Sequence, residues 1–362
     1  MNPKQILLIV NPVSGRMKSK TGLFEMLDEL YRRDSLMMEG ELALLEEDVV
    51  ENEATQNAPT NGQAASPYGR LTAATMGGDP VPDRRVTVCP TMYRGHAAQL
   101  AASSVEAGMD TVICCGGDGT LNETITGLMS ISPEKRPRLG YIPAGSTNDF
   151  AASLGLPSTL RGAARMAVGT TETPIDVGRF TPIGHDDLPM RYFSYIASFG
   201  IFTAASYSTP QSVKNVIGHL AYVLEGAKDL ANIHPHHALF ELADGTRLEG
   251  DYVFGAVTNT TSAGGIFKLP AGSVSMSDGE FEVFLVHNPR TLVELNKIAS
   301  ALMSTNFDGC PMIEFHHTSS VTVRLDQPLS WSLDGEEAMG GTTVEIECLH
   351  GAIQFKTEKG AK

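Results

Sequence analysis

The chain has 362 residues, which suits two domains better than one core, and its 42% hydrophobic and 19% charged residues describe an ordinary globular protein. A formal net charge of -15 excludes a general nucleic-acid binder, since a polyanion would be repelled without a local basic patch, and argues against strong adhesion to anionic membrane. The five cysteines, Cys89, Cys114, Cys115, Cys310 and Cys348, show no metal-type spacing and read as reduced thiols of a cytoplasmic protein.

The apolar run Ile6 to Val10 in "MNPKQILLIVNP" is too short for a secretory leader and stops at Asn11-Pro12; no later segment has the apolar length to cross a bilayer. "KQILLIV" predicts a buried parallel strand, "NPVSGRMKSK" a polar loop suited to phosphate, and "TGLFEMLDELYRR" an amphipathic helix. From about 34 to 85 the chain turns acidic, then rich in Ala, Thr, Gly, Asn and Pro. This predicts an irregular insertion, with a lid or partner-binding arm as its functional alternative.

Order resumes with the strand "RRVTVCPT", the helix "RGHAAQLAASSVEAG", the strand "DTVICCGGDGT", the helix "LNETITGLM", the strand "RLGYIPAG" and the turn "STNDFAASLGLP". Strands alternating with helices predict a doubly wound parallel sheet over residues 1–150, which binds ligands beyond the carboxyl ends of its strands. Three polar loops, Asn11 to Arg16, Gly116 to Thr120 and Gly145 to Asp149, then share one rim. Short alternating runs such as "PIDVGRF", "HALFELADG", "GEFEVFLVH" and "TTVEIECLHGAIQF" predict a mainly antiparallel β domain over 151–362. Two helical stretches interrupt it, "VKNVIGHLAYVLEGAKDLAN" and "TLVELNKIASALM", and its last residues have room to pack back on the first domain.

"VICCGGDGTLNE" reads as strand, glycine turn and helix, a geometry that brings backbone N–H groups and a helix N-terminus to a phosphate. Gly116, Gly117 and Gly119 supply the turn, but Asp118 places a carboxylate in it, to hold a metal between itself and phosphate or to cap the helix through Leu121 or Asn122. Asn11, Ser14 and Gly15 sit where the first loop would meet a nucleotide, and Arg16 adds a cation. Thr120 can bond phosphate or ribose, with Asn122 beside it, while Glu123 either joins them or complements the helix dipole. In "GSTNDF", Ser146 and Thr147 offer hydroxyls. "SLDGEE" reads by itself as a solvated hairpin turn. His234, His236 and His237 in "HPHH" precede a strand and lack neighbouring acidic or thiol partners in sequence, which weighs against a metal.

Taken in order, "NPVSG", "GGDGTLNE", "IPAGSTNDFA" with "LGLP" and the late "DGEE" resemble the diacylglycerol kinase catalytic family, in particular bacterial lipid kinases related to sphingosine and ceramide kinases. NAD kinases share "GGDGT", but they do not explain "GSTNDFA" or the distant "DGE". The resemblance spans nearly the whole chain outside the insertion. It implies an NAD kinase/phosphofructokinase-like α/β domain, a C-terminal β-sandwich, and transfer of the ATP γ-phosphoryl group, with Mg²⁺, to a lipid hydroxyl at the membrane surface. Diacylglycerol is the first acceptor it implies; phosphatidylglycerol, sphingoid bases and undecaprenol stay open.

The same resemblance implies that Thr91 contacts nucleotide with Gly145, Thr147 and Asn148, and that Asp149 lines the cleft between the domains. It makes Glu336 the general base, with Asp334 positioning it or touching metal and Glu337 competing one position on. Asp118 would organise magnesium, and Asp278 in "SMSDGEFEV" would hold a second, structural ion. A soluble acceptor, as in NAD kinases, and a nucleotide-binding regulator without turnover are the competing readings. Nothing in the sequence reports an oligomeric state.

Overall fold

A computed structural model describes residues 4–15, 18–31, 84–201, 234–263, 267–270 and 272–357. Arg16, nearly all of the expected insertion and the helical stretch "VKNVIGHLAYVLEGAKDLAN" lie outside the described residues.

Four parallel strands form the first domain's sheet: β1 (Lys4–Val10), β2 (Arg84–Pro90), β3 (Thr111–Gly116) and β4 (Arg138–Pro143), in the spatial order β4-β3-β1-β2. Both faces are covered, which is why β1 is apolar without interruption. Leu7 and Ile9 enter one core with Val112 and Leu121, while Ile6, Leu8 and Val10 enter the other with Met26 and Leu30. Strand alternation sends Cys114 to the first core and Cys115 to the second. All five cysteines are free thiols.

The covering helices are α1 (Lys18–Thr21), α2 (Leu23–Tyr31), α3 (His96–Ala102), α4 (Asp118–Met129), α5 (Asp149–Ser153) and α6 (Leu160–Ala167). Nothing in the sequence pattern marks α6. Ala163, Ala164 and Ala167 pack in the same core as Met26 and Leu30, and Arg161 and Arg165 reach Asp28 and Glu29 of α2. By this packing α6 shares a core with β1 and α2.

The second domain holds β5 (Thr171–Pro182), β6 (Arg191–Phe193), β7 (Ile196–Gly200), β8 (His236–Leu242), β9 (Arg247–Thr258), β10 (Ser262–Ala263), β11 (Phe267–Lys268) and β12 (Phe281–His287). After α7 (Leu292–Ser304) come β13 (Ile313–Thr318), β14 (Ser320–Leu325), β15 (Ser330–Leu333), β16 (Glu336–Met339) and β17 (Thr343–Thr357). A Thr291/Glu294 capping box starts α7. The strands pair antiparallel around an apolar interior with Trp331 at its centre, where Phe180 and Phe199 meet its ring edge-on at 5.3 and 4.9 Å.

The two domains share β17. It runs antiparallel to β14 and β5, then pairs parallel with β4 through Phe355 and Leu139. The Phe355 ring packs 5.8 Å from Phe150 of α5. Among the described residues no helix is long and apolar enough to cross a membrane.

Candidate active site

The carboxyl ends of β1, β3 and β4 close on one another through backbone contacts. Asn11 N–H donates to Cys115 O (2.8 Å) and Ala144 N–H to Gly116 O (2.8 Å), so the three following loops begin in register. Gly15 has φ +53°, and a Cβ there would lie 1.8 Å from Ala144 O, so this position requires glycine on both counts. The Gly117 and Gly145 backbones pass so close that a side chain on Gly145 would meet Gly117 Cα at 2.6 Å, and Ser14 Oγ lies beside the same point.

Side chains complete the rim. Asn11 Nδ2 donates to Thr120 Oγ1 (3.0 Å), and its Oδ1 accepts from Val13 N–H (3.2 Å). Asn148, at φ +56°, grips Gly145 from both sides, accepting from its N–H (2.9 Å) and donating to its carbonyl (3.0 Å). Ser146 and Thr147 are exposed, and Asp149 is buried. Thr91 follows β2 on the same rim, its N–H donating to Val10 O (2.8 Å).

Asp118 is the first residue of α4. Its Oδ1 is enclosed and has no hydrogen-bond partner, an expensive state for a carboxylate oxygen. Burial pushes its carboxyl up to about 7; Asp149 and Asp334 add repulsion, and the backbone amides of Asp149 and Asn148 pull the other way. A hard, oxygen-ligated cation fits such an atom. Among the described residues no group of three or more His, Cys, Asp or Glu is arranged to hold a metal, so Asp118 can supply one protein ligand, with phosphate oxygens and water as the others.

Glu336 enters from the second domain. Its Oε1 lies 4.0 Å from where a Cβ on Gly119 would sit, directly over the start of α4, and its Oε2 accepts from Arg94 Nη2 across the cleft. Glu337 points elsewhere: Oε1 accepts from Ser330 Oγ (2.8 Å), and its carbonyl accepts from Arg191 Nη1 (2.6 Å).

Several expected site residues have other partners. Asp334 begins a hairpin turn with Gly335, both at positive φ as a type I′ turn requires, yet its carboxylate is buried. Oδ2 accepts from Ser194 N–H (2.5 Å), Ser194 Oγ (2.7 Å) and Asn122 Nδ2 (2.7 Å); Oδ1 accepts from Tyr195 and Ile196 N–H (3.0 Å each). Five donors leave no lone pair for a metal, which corrects the metal option for Asp334 and leaves it the anchor of the Glu336 hairpin. Asn122 also donates to Tyr192 O (3.1 Å), so this side chain ties α4 to the second domain rather than facing the phosphate turn. Glu123 accepts from Gly95 N–H (2.7 Å) and Ala97 N–H (3.3 Å), spending its charge on the start of α3.

Asp278 caps its own turn through Glu280 N–H (3.1 Å); the neighbouring Asp176 is taken by Gly279 and Gly351 N–H and His350. Among the described residues no acidic cluster for a second ion forms there. His237, without acidic neighbours in sequence, meets Asp251 (3.0 Å) and Glu249 (3.5 Å) of β9. Two features had no readable signal: the Tyr195 phenol, held protonated by burial and by Asp118, Asp334 and Asp149, and the Arg94–Glu336 contact, whose partners are 242 residues apart.

An anion cradle in one domain, opposed by a carboxylate from the other, is the arrangement of a phosphotransferase. Comparison with known proteins agrees. Residues 81–180 match the diacylglycerol kinase catalytic domain, and residues 196–356 match the YegS C-terminal NAD kinase beta sandwich-like domain. The chain is 32% identical over 247 residues to the diacylglycerol kinase of Bacillus subtilis (strain 168), covering 68% of this chain and 77% of that one. It is 35% identical over 246 residues to the "Probable lipid kinase YegS-like" of Chromohalobacter salexigens, covering 68% and 76%. The crystal structure of a diacylglycerol kinase from Bacillus anthracis Sterne shares the fold over 100% of both chains, with a TM-score of 0.65 at 18% identity. The chain belongs to the diacylglycerol kinase catalytic domain family and is a kinase that transfers phosphate to an alcohol.

Proposed function

We propose that the protein transfers the γ-phosphoryl group of ATP to a lipid hydroxyl at a membrane surface, with diacylglycerol the first candidate acceptor. The observation that carries this reading is the enclosed, unpartnered Asp118 Oδ1 at a glycine-lined helix N-terminus, one residue before the Gly119 that Glu336 approaches. Bound Mg²⁺ would be held at Asp118 and would neutralise phosphate charge.

The chain's own groups do the rest. The Gly117–Gly119 amides and the N-terminal end of α4 bind phosphate, with Asn11 and Thr120 fixing the loops around it. Glu336 takes the proton from the acceptor hydroxyl, held in place by the Asp334 anchor two residues earlier. Met92, Tyr93 and Met339 are exposed close to the residues of the Arg94–Glu336 pair, where an acyl chain would approach.

The test is transfer of labelled γ-phosphate from Mg-ATP to diacylglycerol, phosphatidylglycerol, a sphingoid base and undecaprenol in mixed micelles, with NAD alongside. Label in one lipid supports the proposal and names the acceptor class. Label in NAD alone, or in nothing, overturns it.

A further inference from the structure

The turn between β2 and α3 is held more firmly than a surface loop requires. Gly95, at φ +85°, presents its N–H to Glu123 together with that of Ala97. Met92 N–H donates to His96 Nδ1 (3.1 Å), the Tyr93 ring stacks on His96 at 4.5 Å, and Tyr93 OH donates to Gln99 (2.7 Å). The braced turn carries Arg94, whose guanidinium crosses the cleft to Glu336 and whose side chain is 76% exposed.

We propose that Arg94 is a ligand of the transferring phosphoryl group, and that Glu336 is the partner it holds only until nucleotide arrives. This rests on the kinase reading above. Three observations support it. Asp149 and Asp334 are buried within electrostatic reach of Asp118, and Glu336 adds a further carboxylate from the second domain, so a polyphosphate binding here needs a cation from the protein as well as a metal. Glu336 Oε1 lies 4.0 Å from where a Cβ on Gly119 would sit while its Oε2 holds Arg94, which places the guanidinium one carboxylate away from the phosphate-binding end of α4. An ion pair this exposed is weak and exchangeable, whereas the planar guanidinium matches a phosphate through two parallel N–H···O bonds.

The exchange also readies the base. With Arg94 on the γ-phosphate, both Glu336 oxygens face the acceptor. The hydroxyl oxygen bonds to the γ-phosphorus and its proton passes to Glu336; the bond from that phosphorus to the bridging oxygen breaks, its electron pair leaving on ADP.

The experiment compares the full chain with Arg94→Gln and Arg94→Lys, measuring calorimetric affinities for Mg-ATP and Mg-ADP and kcat with the lipid acceptor. Arg94→Gln is expected to weaken ATP binding about tenfold or more with ADP within about twofold, and to lower kcat; Arg94→Lys recovers part of both. The ADP affinity also reports that the variant is folded. ATP and ADP weakened equally, or both unchanged with kcat retained, overturns the proposal. A wild-type chain that phosphorylates no lipid but whose ATP preference over ADP depends on Arg94 overturns the lipid reading and leaves this one standing.

Discussion

Replacing Asp334 with asparagine changes one oxygen to an amide nitrogen and nothing in size, and asparagine tolerates the positive φ of this position. The oxygen that becomes nitrogen has to be the one facing Ser194 or the one facing Tyr195 and Ile196. If the amide nitrogen takes the Oδ2 place, the Ser194 N–H and Asn122 Nδ2 lose their acceptor, while the Ser194 hydroxyl can rotate away. In the opposite orientation the Tyr195 and Ile196 N–H groups are stranded. Either way two buried donors go unpaired at about 1–3 kcal/mol each, so the expected loss is roughly 4 kcal/mol, a large share of a typical domain's stability. Trp331, the chain's one tryptophan, lies buried on β15 three residues before Asp334 and reports urea unfolding directly. The midpoint should fall and kcat should drop with the Glu336 hairpin unanchored, while Asn122→Ala, which takes one of the five donors from Asp334 together with the bond to Tyr192 O, should lower the midpoint less. An Asp334→Asn protein with wild-type midpoint and kcat would refute the anchor argument.

Asp118→Ala is expected to abolish transfer in a folded protein; near-normal turnover would remove its metal-organising role. Glu336→Gln should cut kcat at least a hundredfold with little change in ATP affinity, and Glu337→Gln should leave kcat within about twofold; the reverse pattern in steady-state assays would move the base by one residue. Glu282 on β12 is 1% exposed with neither oxygen hydrogen-bonded, and burial pushes its carboxyl up to about 9, Asp278 and Glu280 adding repulsion. Because the folded value is raised, its contribution is fully present below about pH 4.5 and is lost as pH climbs toward 9. At about 1.4 kcal/mol per pH unit, the wild type should lose roughly 3 kcal/mol against Glu282→Gln between about pH 5 and 7.5. Parallel urea stabilities across that range would mean that Glu282 is ionised in the fold, paired with His317 at 3.7 Å.

The parallel sheet and its rim were legible because each signal is local: an apolar run, then a glycine-bearing turn, then a helix. The helix α6 was not. In "LRGAARMA" the buried face is alanine, and what holds the helix in place is Arg161 and Arg165 meeting Asp28 and Glu29 more than 130 positions earlier. Asp334 shows the same limit more sharply. "DG" correctly signals a tight turn, but the donors that bury its carboxylate come from Ser194 to Ile196 and from Asn122, and no spacing in the chain announces them. Glu123 reads as a dipole partner for its own helix and instead serves the start of α3, because the two helices pack side by side. Motif spacing places residues on a rim; which rim residues face ligand and which brace their neighbours is decided by the packing.

The strand shared between the domains has a consequence for synthesis on the ribosome. β4 forms the edge of the nucleotide-domain sheet until Phe355 arrives beside Leu139, more than two hundred residues later, and Thr357 closes against Gly169. Until then a nascent chain carries an unpaired, apolar strand edge that invites pairing with other chains. The kinase cleft therefore cannot be finished one domain at a time, and a chain cut short before β17 would be both inactive and prone to aggregate.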